Sequence, residues 1–136
     1  MNRLNTYFTT IYYYLHPEHK QVISHQSVRI LQFIQKEDSV TVRHVAEKLG
    51  ISHNTASEHV KKLELNGWVT KNRAENDQRI VHLQLTDEGL HVVRANTELD
   101  ANKLSDVLAT LTVEQQQQIE EAFRLLSEAA ENVHNH

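Results

Sequence analysis

Ile51–Leu85 reads ISHNTASEHVKKLELNGWVTKNRAENDQRIVHLQL, which parses as a helix, a short strand, a polar charged loop and a second strand. Ser52 suits a helix N-cap, since its hydroxyl can accept from a free amide of the first turn. Asn66-Gly67 supplies the stop, because both residues tolerate left-handed backbone angles. Between them lies a helix of about four turns. On the helical wheel Ala56, Val60 and Leu63 form one apolar stripe, with Asn54, Ser57, Glu58, Lys61 and Lys62 on the other side. Alone, such a segment is a solvated surface helix. Its sequel changes the reading. Trp68–Lys71 and Ile80–Leu85 have strand composition, the second alternating apolar and polar residues. Asn72–Arg79 joins them as a hairpin whose tip carries Arg73, Asn76, Asp77, Gln78 and Arg79.

Upstream, Thr41–Gly50 (TVRHVAEKLG) predicts a short helix with Val42, Val45, Ala46 and Leu49 on one face, stopped by Gly50. Two helices joined by so tight a turn form a helix-turn-helix, whose second helix enters the major groove of DNA. Followed by a hairpin, the unit is a winged helix. The expected DNA-facing set is Arg43, Ser52, His53, Asn54, Thr55, Ser57, Glu58, Lys61, Lys62, Lys71, Arg73, Asn76, Gln78 and Arg79. Asn54 has an amide that can pair with adenine, and Ser57 and Glu58 can reach base edges. Lys61 and Lys62 suit phosphates.

Specific residues extend the match. Val45-Ala46-Glu47-Lys48-Leu49-Gly50-Ile51-Ser52, Leu63-Glu64 with Gly67-Trp68-Val69, Asp77-Gln78-Arg79 and Leu85-Thr86-Asp87-Glu88-Gly89 together resemble the MarR family of dimeric bacterial winged-helix regulators. Their order and spacing run through the central region, and the flanking helices fit as well. The resemblance implies a mainly α fold, a winged helix-turn-helix core flanked by N- and C-terminal dimerisation helices. It also implies a short strand at Ser39-Val40 pairing with the hairpin, and a repressor released by a small molecule lodged between reading head and dimerisation helices. Asp77-Gln78-Arg79 is similar to the family's Asp-x-Arg element. There Asp77 is expected to orient Arg79 rather than to touch DNA, and Arg79 with Arg73 to enter or flank the minor groove.

At 136 residues the chain is expected to form a single domain, with residues 24–85 as the DNA-binding core and 1–16 and 87–133 as dimerisation helices. One proline and three glycines point to mostly helix. No apolar run approaches a membrane span and no basic segment leads into an apolar signal region, so a soluble, cytoplasmic protein is expected. With no cysteine there is no disulfide, thiolate metal site or thiol switch. The formal net charge of −4 opposes DNA binding in sum but not in distribution. From Arg43 to Arg79 seven basic side chains stand against five acidic ones, and the remainder of the chain holds all of the excess negative charge. A mildly basic head on an acidic body fits a salt-sensitive, specific binder.

The first segment places Leu4, Tyr7, Phe8, Ile11, Tyr12, Tyr14 and Leu15 at helical spacing and ends near Pro17. So large an apolar face needs a partner, and the resemblance makes that partner a second copy. Ser24 caps a helix to about Glu37 with Val28, Ile30, Leu31, Phe33 and Ile34 as its apolar set. Thr86 caps a long helix through about Thr110, whose stretch Asn96–Asn102 has few apolar residues and is expected to face solvent or to bend. Thr112 and Gln115 form a capping box for a last helix to about Glu131.

Ten histidines raise a metal-responsive alternative, with His16 and His19 three apart, His53 and His59 six apart, and His134 and His136 near the end. None shows the His-x-x-x-His spacing on a predicted helix, so no metal site and no cofactor is expected. His59 lies beside the recognition stripe, where relatives of the resembled family usually carry an apolar residue. No phosphate loop, nucleophile motif or carboxylate dyad marks an enzyme. The rival from another class is a winged helix that docks on proteins, though the cationic hairpin tip favours DNA. An effector, if aromatic, would suit the tyrosine-rich first helix. The expected partners are pseudo-palindromic double-stranded DNA and a second copy of the chain.

Overall fold

Side-chain oxygens set most helix starts in this chain. In the computed structural model, which describes residues 2–18, 23–77 and 79–135, the hydroxyls of Ser24, Thr41, Ser52, Thr86 and Thr112 each accept from the amide three residues on. Two compact units result, one from Pro17–Glu98 and one from Met1–His16 with Leu99–His136.

The first unit is built from α2 (His25–Lys36), α3 (Val42–Leu49), α4 (His53–Leu65), β1 (Val69–Arg73), β2 (Val81–Leu85) and α5 (Asp87–Thr97). Gly50 ends α3 at φ 66°, and Gly67 turns the chain out of α4 at φ 82°. Asn66 stays right-handed, so the left-handed angle expected of the Asn66-Gly67 pair falls on the glycine alone, where it costs least. The strands pair antiparallel with Val69 opposite Leu85, Lys71 opposite Leu83 and Arg73 opposite Val81. Each begins one residue later than expected, and β1 runs on to Arg73. Ile30 and Leu31 of α2, Val45 of α3, Ala56, Val60 and Leu63 of α4, and Val93 of α5 fill one core, joined by Val40, Trp68, Val69 and Leu83. Burying each such valine, leucine or isoleucine side chain is worth about 1.5–3 kcal/mol, so this core and not helix propensity holds the unit.

Ser39-Val40 does not form the expected strand. Ser39 takes φ 58°, which breaks the extended backbone, and Val40 accepts one bond from the Leu83 amide (2.8 Å). The long helix expected from Thr86 through Thr110 is also interrupted. It ends at Thr97, Glu98 is extended, and Asp100 starts α6 (Ala101–Leu108) by accepting from the amides of Asn102 (2.9 Å) and Lys103 (3.0 Å). The carboxylate offers the backbone a better partner than helix continuation through an apolar-poor stretch.

The second unit contains α1 (Asn2–Leu15), α6 and α7 (Val113–His134). The Asp100 amide donates to Leu15 O (2.8 Å) and Lys103 Nζ to His16 O (3.0 Å), which ties the end of α1 to the start of α6. Gln116 Nε2 reaches the Leu108 and Leu111 carbonyls and joins α7 to the end of α6. Helix α7 extends past the expected Glu131. Among the described residues of this unit only Leu15 is a buried apolar residue. Leu4, Tyr7, Phe8, Phe123, Leu125 and Leu126 are all more than half exposed, and line an open apolar groove between α1 and α7. Among the described residues no helix is long and apolar enough to cross a membrane.

Candidate DNA interface

Helix α4 is docked by the stripe predicted for it: Ala56 and Val60 are fully buried and Leu63 nearly so. That fixes the roll of the helix and turns Asn54, Glu58, Lys61 and Lys62 to solvent, with Ser57 half-buried at the border. Among the described residues the side chains of Asn54, Glu58, Lys61 and Lys62 have no hydrogen-bond or ion-pair partner. His53 and Thr55 are exposed on the first turn, where the Ser52 hydroxyl accepts from the Thr55 amide (3.1 Å) and donates to its hydroxyl (2.8 Å). Both hydroxyls therefore serve the cap first. His59 is half-buried at the edge of the stripe.

Arg43, on the first turn of α3, is exposed and pairs with Glu47 (3.1 Å). Two neighbouring helix positions of opposite charge on a wet surface hold each other loosely, so the arginine stays available to a phosphate.

The hairpin is closed by Ala74 N donating to Ile80 O (2.9 Å) and Ile80 N to Asp77 O (3.1 Å). Asp77 grips Arg79 three times: Oδ1 accepts from Arg79 Nε (3.1 Å) and from the Arg79 amide (3.0 Å), and Oδ2 accepts from Nη2 (3.2 Å). The arginine side chain remains 91% exposed while the aspartate is 29% exposed. The guanidinium and then the amide of Arg79 hold the Asp77 carboxyl below its usual range. Arg73 and Asn76 are exposed on the same hairpin. Gln78 lies outside the described residues.

Lys71 has a partner the sequence did not announce. Its Nζ lies 3.2 Å from Glu64 Oε1, linking β1 to the last turn of α4. Across the outer face of the hairpin, Asn72 Nδ2 donates to Gln84 Oε1 (2.8 Å). At its base the Thr86 hydroxyl donates to Gly67 O (2.6 Å) and the Thr86 amide to Trp68 O (3.0 Å). Gly89 permits that closeness, since a Cβ there would run into the Trp68 carbonyl. No local sequence pattern announces these ties, because the partners are distant in sequence.

Among the described residues no group of three or more His, Asp or Glu side chains is placed to hold a metal ion. His16 stacks on Tyr12 (5.5 Å between ring centres), with Nδ1 2.8 Å from Tyr12 O. His19 and His136 fall outside the described residues.

The sequence model of the MarR family matches residues 23–80, which span α2 to the end of the hairpin loop. An uncharacterised HTH-type transcriptional regulator of Bacillus subtilis (strain 168), YfiV, is 30% identical over 110 residues, 81% of this chain and 69% of that one. The transcriptional repressor MprA of Escherichia coli (strain K12) is 29% identical over 92 residues, 68% of this chain but only 52% of MprA. Among solved structures, the PcaV transcriptional regulator from Streptomyces coelicolor, captured in complex with its natural ligand, superposes with a TM-score of 0.51 at 29% identity. The match covers 95% of this chain and 89% of PcaV. A helix-turn-helix with its second helix turned outward, a hairpin following it and relatives that are regulators rather than enzymes lead to one conclusion: the chain belongs to the MarR family of winged-helix, DNA-binding transcriptional regulators.

Proposed function

We propose that this regulator is a homodimeric, sequence-specific repressor that binds a pseudo-palindromic operator in double-stranded DNA and is released by a small-molecule effector. One observation carries the DNA part: α4 buries its apolar stripe and leaves an amide, a carboxylate and two ammonium groups on its outer face without a partner among the described residues. The chemistry of these groups is that of base edges and phosphates. Arg79, held by Asp77 at the end of the hairpin, is suited to the minor groove. Arg43 and Lys61 with Lys62 supply phosphate neutralisation around these two elements, Arg73 flanks the minor groove beside Arg79, and the neutral Asn76 amide can add a hydrogen bond to the backbone.

The dimer is supported by the apolar groove of α1 and α7, because side chains of the size of Phe8, Phe123 and Leu126 left in water favour burial against a twofold mate. Repression and release are proposed by analogy with relatives, MprA being a repressor and PcaV a regulator with a natural ligand. An effector acts here only through unequal affinity for the DNA-bound and free forms.

Footprinting of the purified protein on duplexes selected from the source genome tests the proposal. Two protected half-sites centred about 10 base pairs apart are expected, one per recognition helix. Affinity should fall steeply between two salt concentrations. Protection of a single asymmetric half-site, or salt-insensitive binding, would contradict it.

A further inference from the structure

Asn54 and Glu58 stand four residues apart on the exposed face of α4, and among the described residues neither side chain has a partner. Lys61 and Lys62 follow Glu58 at three and four residues, where a surface glutamate ordinarily finds its counter-ion. Glu58 pairs with neither. An unpaired carboxylate on a face that meets a polyanion weakens binding everywhere except where a donor meets it. In the major groove only two base edges offer one, the N4 amino group of cytosine and the N6 amino group of adenine. Adenine places its N7 acceptor beside N6, which repels the second carboxylate oxygen. Cytosine has no acceptor beside its amino group in that groove.

Resting on the DNA-binding proposal above, we infer that α4 reads each half-site by pairing Glu58 with a cytosine and Asn54 with an adenine. The carboxamide of Asn54, with donor and acceptor side by side, matches the N7 and N6 atoms of adenine. Four residues advance about 6 Å along a helix, and base pairs stack about 3.4 Å apart, so the two recognised pairs lie about two steps from each other. Lys61 and Lys62, further along the same face, hold the flanking phosphates. Glu58 also discriminates by repulsion: against guanine, whose groove edge presents N7 and O6, or thymine, which presents O4, its oxygens meet only acceptors.

Selection of random duplexes by the full chain, followed by titration of the winning site, tests the assignment. The wild type should select a C·G pair and an A·T pair about two steps apart in each half-site. Glu58→Gln should switch the C·G position to A·T, since glutamine pairs with adenine, and lower affinity for the original site about tenfold or more while leaving the other position intact. Asn54→Ala should relax the A·T position alone. Both side chains are exposed, so unchanged thermal melting shows that the variants are folded. If Glu58→Gln selected the same sequence as the wild type and bound every duplex more tightly, the carboxylate would merely repel phosphate and the inference would be overturned. A wild type that binds no duplex at all would remove the DNA-binding proposal itself, a result distinct from the first.

Discussion

Arg79 carries its charge on a hairpin end, where a free guanidinium would lose rotamer entropy on being ordered against DNA. The two side-chain bonds and one backbone bond to Asp77 meet part of that cost before DNA arrives. Arg79→Ala should therefore lower operator affinity more than tenfold in fluorescence anisotropy and leave the melting temperature nearly unchanged, because the side chain is 91% exposed. Asp77→Ala carries the discriminating sign. Simple electrostatics says that deleting a negative charge beside DNA strengthens binding, whereas loss of an orienting group weakens it. Tighter binding by Asp77→Ala would refute the orienting role. The same pair sets a pH signature. Because the folded carboxyl is held down by Arg79, the pair is fully formed above the ordinary aspartate range and is lost only as pH falls through the lowered value. Side-chain NMR titration should find Asp77 below a free aspartate, returning toward it in Arg79→Ala; an unmoved titration would show that the pair does not persist in solution.

At the scale of elements, the hairpin is attached to the recognition helix by Lys71–Glu64 and to α5 by Thr86 and Gly89. A surface ion pair adds about 0–1 kcal/mol to stability, so Lys71 matters chiefly through the angle at which β1 leaves α4. Lys71→Glu and Glu64→Lys should each weaken DNA binding several-fold, and the double swap should recover most of the loss. A swap no better than Lys71→Glu alone would assign Lys71 to a phosphate instead. Gly89→Ala puts a methyl against the Trp68 carbonyl, which neither a rotamer change nor a flexible side chain can relieve. It should cost about 1–3 kcal/mol in urea unfolding, as overpacking of a close-packed site does. Wild-type stability in this variant would mean that α5 can slide away from the hairpin base without loss.

For the whole molecule, the distribution of charge and of apolar surface points in two directions at once. The segment from Arg43 to Arg79 has a basic excess within a chain of formal net charge −4, so long-range repulsion discourages indiscriminate coating of DNA while the head is drawn to it. One head alone would bind weakly. In the proposed dimer, with the α1 and α7 faces holding a second copy, two heads on one duplex would convert the second contact into an intramolecular one. Sedimentation should show a dimer at micromolar concentration. Phe8→Glu with Leu126→Glu, which places charge in the exposed apolar groove and leaves the winged-helix unit untouched, should give folded monomers with at least a hundredfold weaker operator binding. A wild type that sediments as a monomer would end the dimer proposal.

The sequence by itself determined the starts of α2, α4, α5 and α7, the hairpin, the outward face of α4 and the Asp77–Arg79 pair, since each depends on residues within a few positions of one another. Ser52 and Thr55, Thr112 and Gln115, and Asp77 and Arg79 interact over two or three residues, and glycine at 50 meets a local backbone demand. Only the tertiary structure decided the interruption at Glu98–Asp100, the single bond that replaces the expected strand at Val40, and the ties Lys71–Glu64, Asn72–Gln84 and Gly89 on Trp68. An aspartate in a polar stretch is equally at home on a wet helix face or at a cap. At Asp100 the choice falls to the cap where its own amide meets Leu15 O, an atom 85 residues away in sequence, and no local pattern encodes an encounter that packing alone brings about.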